Sequence, residues 1–180
     1  MKALLIVDVQ KDFLPNGKLG VKDGNKIIPI LNQLMEVFPI VIASKDWHPV
    51  NTVHFDSWPI HCVADTDGAA FPESLNSNKI QKIFYKGTDN KDDGYSAFEA
   101  TTESLSDYLT AKGIDQLYIT GIATDYCVKA SAIDAIKEGL TTYVITDAVK
   151  AVNIQPKDGA NALQELQDIG CILIHSDNII

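Results

Sequence analysis

Six short apolar runs rich in β-branched residues alternate with segments whose apolar residues recur at helical spacing, and that alternation limits the fold more than any other feature. Ala3–Val9, Ile40–Ala43, Lys82–Tyr85, Gln116–Thr120, Thr142–Thr146 and Cys171–His175 read as strands. Several are continuous apolar runs, the pattern of a parallel sheet covered on both faces. Between them, Asn25–Val37, Glu103–Lys112, Thr124–Glu138 and Lys157–Ile169 have the helical spacing. Gly113, Gly139 and Gly170 stand where three of the helices should stop, the usual place for a left-handed cap. Strand–helix alternation with right-handed crossovers predicts a three-layer α/β/α doubly wound sandwich around a mostly parallel six-stranded sheet. At 180 residues the chain is expected to form one domain over 1–180.

Two stretches, Asp46–Lys79 and Lys86–Thr102, are too long and irregular to be simple connectors. Together they hold three of the four histidines and both tryptophans, a composition that favours a functional role. The net charge of −9 repels phosphate backbones and anionic lipids, so neither nucleic acid nor membrane is expected as a partner. The early apolar run Ala3–Val7 is closed by Asp8 and is too short for a signal peptide's hydrophobic region. Cysteines at 62, 127 and 171 are odd in number and suggest no disulfide framework. A reducing, cytoplasmic setting is the expectation.

No G-x-G-x-x-G follows the first strand and no G-x-x-x-x-G-K-[ST] is present, so the commonest nucleotide-binding turns are missing. Gly94-Tyr95-Ser96-Ala97-Phe98 is half of a nucleophile elbow and lacks the second glycine. Three constellations remain. Thr124 is placed as an N-cap, which sets Cys127 in the first helical turn, where free amides and the helix dipole favour a thiolate. The alternative is a small buried hydrophobe. Asp8 closes the first strand and Lys86 follows the third; with Cys127 they supply acid/base, cation and nucleophile at one sheet edge, the roles an acyl transfer needs. Asp46 and His48, at i and i+2 of extended chain, point the same way, and His61 can return from the loop as a third ligand. Carboxylate with imidazoles suits zinc, iron or manganese; the alternative is an ordinary surface loop.

The blocks Leu5-Ile6-Val7-Asp8-Val9-Gln10-Lys11-Asp12-Phe13, Lys45-Asp46-Trp47-His48-Pro49, Trp58-Pro59-Ile60-His61-Cys62-Val63, Lys86-Gly87-Thr88 and Gly121-Ile122-Ala123-Thr124-Asp125-Tyr126-Cys127-Val128 resemble those of the nicotinamidase/pyrazinamidase family. Their order matches over nearly the whole chain. The resemblance implies the isochorismatase-like hydrolase fold, with Cys127 as nucleophile, Asp8 as general base and later acid, and Lys86 completing the triad. It implies a divalent metal, zinc foremost with iron or manganese as alternatives, held by Asp46, His48 and His61. His54 is a further ligand in some family members, whereas others carry a serine there; a solvated loop histidine is the other reading. The Ile122–Ala123 bond would be the family's cis peptide, turning the Ala123 and Cys127 N–H groups into an oxyanion hole. Phe13 and Trp58 would wall the substrate ring, and Tyr95 falls in a segment similar to the family's Tyr-Ser stretch.

The implied reaction is hydrolysis of nicotinamide, and of pyrazinamide, through a thioester, as a step of NAD salvage; a homo-oligomer stays open. Two other classes compete. A cysteine hydrolase of the same fold acting on a carbamoyl or ureido compound leaves Asp46, His48 and His61 without a purpose. A non-catalytic module predicts a decayed triad, whereas Asp8, Lys86 and Cys127 are all in place. Cys171 is expected in the core and His175 on the surface.

Overall fold

The computed structural model describes residues 1–180. Six strands, β1 (Lys2–Val7), β2 (Val41–Asp46), β3 (Lys82–Lys86), β4 (Gln116–Ile122), β5 (Thr141–Lys150) and β6 (Ile172–Ile174), form one sheet in the order β3-β2-β1-β4-β5-β6. Every pairing is parallel, so "mostly parallel" becomes wholly parallel. Four helices, α1 (Ile28–Val37), α2 (Leu105–Ala111), α3 (Lys129–Lys137) and α4 (Asp158–Asp168), fall within the four segments of helical spacing.

The alternation of side chains along β1 builds both halves of the core. Leu4 and Ile6 point to one face and pack with Leu31, Leu34 and Met35 of α1. Ala3, Leu5 and Val7 point to the other, against Leu105 and Leu109 of α2, Ala132 and Ala135 of α3, and Leu166 of α4. Burying a residue such as Leu4 or Leu5 stabilises the fold by about 1.5–3 kcal/mol, more than any single surface ion pair. One helix therefore covers one face and three cover the other, which gives the three layers.

Local signals explain the helix ends. The segment from Asn25 divides into a 3-10 turn (Gly24–Ile27) and α1, with Pro29 in the first helical turn, where its missing N–H costs nothing. Ser104 caps α2 by accepting the Asp107 amide at 3.1 Å. Gly113, Gly139 and Gly170 all take positive φ beyond their helices, as the spacing predicts.

The chain runs outward from β1 to β2 and β3, then crosses back to β4 on the other side of β1. The order thus reverses between β1 and β4, and open α/β sheets bind ligands beyond the strand carboxyl ends at such a point. Gly121 makes this seam possible. Its φ is +109°, and a Cβ there would lie 2.0 Å from the Val7 carbonyl oxygen. No α-helix connects β2 to β3. The excursion carries only 3-10 turns and one parallel bridge between His48 and Val63, and it arches over the strand ends.

Candidate active site

Sheet register sets the first half of the site. Asp8 follows β1 directly in the left-handed conformation (φ +50°). Asp46 and Lys86, last residues of β2 and β3, are register partners. Lys86 is completely buried, and its Nζ lies 2.8 Å from Asp8 Oδ2 and 3.6 Å from Cys127 Sγ. It also donates to Asp46 Oδ1 and to the Gly94 carbonyl, the latter at 2.7 Å. Ser44 Oγ donates to the other Asp8 oxygen at 2.7 Å. Asp8, Lys86 and Cys127 are therefore one cluster, as the sequence predicts.

The charges follow from burial and pairing. Burial disfavours the Lys86 cation, but Asp46, Asp8 and the Cys127 sulfur outweigh it and hold the ammonium well above its ordinary value. Burial likewise works against ionised Asp46, yet the Lys86 ammonium beside it holds it well below the usual carboxylate range. For Asp8 burial prevails over the attraction of Lys86, and its pKa is raised. Burial also pushes the Cys127 thiol well up, Lys86 opposing and Asp8 and Asp46 adding to the rise.

The last result corrects the expectation of a thiol depressed by a helix start. Thr124 is not the cap. Extended Ala123 precedes a π-helical turn over Thr124–Val128, no side chain caps it, and α3 begins only at Lys129. Cys127 sits in that turn, almost wholly buried beside two carboxylates, so desolvation overrides the turn's free amides. The Ile122–Ala123 peptide is cis, matching what the resemblance implies.

The second half belongs to the loop after β2. His48, His54 and His61 are all buried, and one ring nitrogen of each lies within 4.8 Å of the others. Each holds its Nδ1 against an acceptor: Gly87 O for His48 at 2.9 Å, Pro59 O for His61 at 2.6 Å, and Asp92 Oδ1 for His54 at 2.8 Å. Carbonyl and carboxylate oxygens only accept, so each Nδ1 carries a proton, and in the neutral ring Nε2 is the nitrogen with the lone pair. His48 Nε2 is buried without a partner. Asp46 Oδ2 faces it at 3.4 Å and His61 Nε2 at 3.7 Å, while the other Asp46 oxygen takes the Lys86 proton. Gly87 is required beside this cluster: its φ is +64°, and a Cβ would lie 2.5 Å from the His48 ring. His54, read either as ligand or as solvated loop residue, is in the cluster.

Both halves open onto one cavity. Cys127 and Ala123 line it on one side, His54, His61 and Asp46 on another, and Phe13, Trp58 and Tyr95 wall it. The Phe13 ring stands 5.3 Å from the His61 ring, and Trp58 meets Tyr126 edge-on at 5.0 Å. Gly94, Leu19, Tyr126 and Val152 complete the lining, and of these Leu19, Tyr126 and Val152 are not singled out in the sequence. Tyr126 had a usable signal, its place beside Cys127; Leu19 and Val152 are ordinary apolar residues until the fold gathers them.

The remaining cysteines lie apart from this chemistry. Cys62 and Cys171 are buried and unpaired, and burial pushes the Cys171 thiol up to about 11. His175 is exposed, with Nε2 3.5 Å from Asp147. No helix is long and apolar enough to cross a membrane.

Comparison with known proteins agrees with this geometry. The isochorismatase domain profile matches residues 2–178. The nicotinamidase of Acinetobacter baylyi is 41% identical, over 99% of this chain and 94% of that protein. The solved nicotinamidase/pyrazinamidase of Acinetobacter baumanii superposes with a TM-score of 0.93 at 38% identity, covering 99% of this chain and 98% of that one. The pyrazinamidase of Pyrococcus horikoshii, solved in complex with zinc, gives a TM-score of 0.86 at 39% identity, covering 97% and 98% of the two chains. By whole-chain matches in sequence and in structure, the protein belongs to the isochorismatase-domain family, within its nicotinamidase/pyrazinamidase group.

Proposed function

We propose that this protein hydrolyses nicotinamide to nicotinate and ammonia, with pyrazinamide as a second substrate. One observation carries the reading: the Cys127 thiol and the imidazole cluster face the same aromatic-walled cavity. A cysteine hydrolase of carbamoyl or ureido compounds has use for Asp8, Lys86 and Cys127, but none for three converging Nε2 lone pairs.

In this reaction Asp8 takes the Cys127 proton as sulfur attacks the amide carbon. Lys86, ion-paired with Asp8 and close to the sulfur, holds both in line and stabilises the negative charge shared between them. The tetrahedral oxyanion lies against the Ala123 and Cys127 N–H groups. Asp8 returns the proton to the amide nitrogen, the C–N bond breaks, and ammonia leaves a thioester on Cys127. Asp8 then removes a proton from water as its oxygen attacks the thioester. The C–S bond breaks, nicotinate forms, and sulfur regains its proton.

Three convergent lone pairs, a buried Nε2 without a donor and an ionised carboxylate oxygen beside them would be satisfied together by one bound cation. His48, His61 and Asp46 would hold a divalent metal, with His54 as a further ligand. Nitrogen-rich donors with one carboxylate favour zinc, with iron or manganese as alternatives. A metal held there would supply a Lewis-acid point for orienting a ring nitrogen. Phe13 and Trp58 wall the ring, with Tyr95 at the rim. The proposed setting is cytoplasmic, supported by three unpaired cysteines, and the proposed role is NAD salvage.

The test is ammonia release from nicotinamide by the protein as purified, after chelation, and after zinc, iron or manganese is added back. Turnover lost on chelation and restored by metal is the expected result. No turnover in any metal state, with Cys127 still readily alkylated, would instead indicate another amide hydrolase.

A further inference from the structure

The three imidazoles are oriented by different means. His48 and His61 give their Nδ1–H to backbone carbonyls, which no side-chain substitution removes. His54 alone uses a side chain, Asp92, contributed by the other long loop. The same Asp92 oxygen accepts the Tyr95 hydroxyl at 3.2 Å, and the Tyr95 oxygen accepts Trp58 Nε1–H at 3.0 Å. His54 and Trp58 stand on the β2–β3 excursion; Asp92 and Tyr95 stand on the loop after β3. A four-residue chain of hydrogen bonds therefore straps the two loops together across the cavity mouth. One end is an imidazole of the cluster and the other an aromatic wall of the pocket.

We propose that Asp92 is a positioning residue with two outputs: it aims His54 Nε2 at the metal and, through Tyr95, sets Trp58 against the substrate ring. A carboxylate does the first better than a carbonyl, because a charged acceptor strengthens the Nδ1 hydrogen bond and makes Nε2 a better donor to a cation. It does the second because both donors converge on one Oδ1 atom, so the imidazole and the Tyr95–Trp58 wall share an anchor. The inference rests on the nicotinamidase reading for its substrate but not for its metal, since zinc affinity is measurable without turnover.

The experiment is zinc competition against a chromophoric chelator for wild type, Asp92→Ala, Asp92→Asn and Tyr95→Phe, each checked for folding by circular dichroism, with nicotinamide kinetics alongside. Asp92 is exposed, so its replacement leaves the core intact. Asp92→Ala is expected to weaken zinc binding by about 10–100-fold, the usual effect of losing such an outer partner. Asp92→Asn, which keeps an accepting oxygen, should recover part of that loss. Tyr95→Phe removes the strap but leaves the His54–Asp92 bond, so zinc affinity should hold while KM for nicotinamide rises. Asp92→Ala binding zinc within twofold of wild type overturns the first output. Tyr95→Phe with an unchanged KM overturns the second. Wild type that binds zinc tightly yet never turns over nicotinamide would sink the substrate reading while the Asp92 result stood; wild type that takes up no zinc would overturn the metal role of Asp92 itself.

Discussion

The two halves of the site are built differently. Asp8, Lys86 and Cys127 stand at or just beyond the ends of β1, β3 and β4, completely or almost completely buried, and the register of a parallel sheet brings them together. The imidazole half stands on long loops with only 3-10 turns, held by hydrogen bonds to Gly87 O and Asp92 across the loops and to Pro59 O within one. Asp46 belongs to both, one oxygen on Lys86 and the other facing His48 and His61. On the proposed roles the labour is divided: bond-making groups sit on the rigid frame, and groups that orient a ligand sit where the fold is most easily varied.

The sharpest break of that comparison is Cys127→Ala. Ammonia release should fall by on the order of 10⁴-fold or more, as for loss of other covalent nucleophiles, while zinc binding holds. Appreciable residual turnover would mean that the metal half makes the nucleophile after all. Next comes Lys86→Met, which leaves Asp8 and Asp46 buried without their shared cation. Removing one partner of a buried ion pair costs about 3–5 kcal/mol, and denaturant unfolding should show it. His54→Ala, in the loop half, should cost far less; equal losses would erase the distinction between frame and loops.

Metal removal tests the loop half directly. Chelation should raise KM by about tenfold or more if the metal orients the ring, and zinc should restore it. A fall in kcat with KM unchanged would move the metal into the chemical step. The smallest effect is a shift of pH profile. Burial raises the Asp8 pKa, and the base must be ionised, so kcat/KM should decline from a pH above the ordinary carboxylate value of about 4 as acidity increases. An acid limb at or below that value would assign the base elsewhere.

Much of the frame half was legible residue by residue. Continuous apolar runs marked the strands, and Gly113, Gly139 and Gly170 marked helix ends by their conformational freedom. A charged residue closing an apolar run is conspicuous, which made Asp8 and Lys86 readable. The π turn was not legible, because Thr124 has the chemistry of a cap and only the backbone path from Ala123 denies it that role. The thiol's raised pKa escaped as well, since burial beside Asp8 and Asp46 is a property of assembled neighbours.

Sequence by itself determined the strand and helix succession, the residues at the strand ends and the spacing of Asp46 and His48, because these depend on local periodicity and on groups only a few bonds apart. Tertiary structure decided that His54 joins His48 and His61, that Asp92 orients it, and that Leu19 and Val152 close the pocket. The contact between His54 and Asp92 joins two loops 38 residues apart in sequence. No local propensity encodes such a contact; it exists only once the sheet has brought the ends of β2 and β3 side by side.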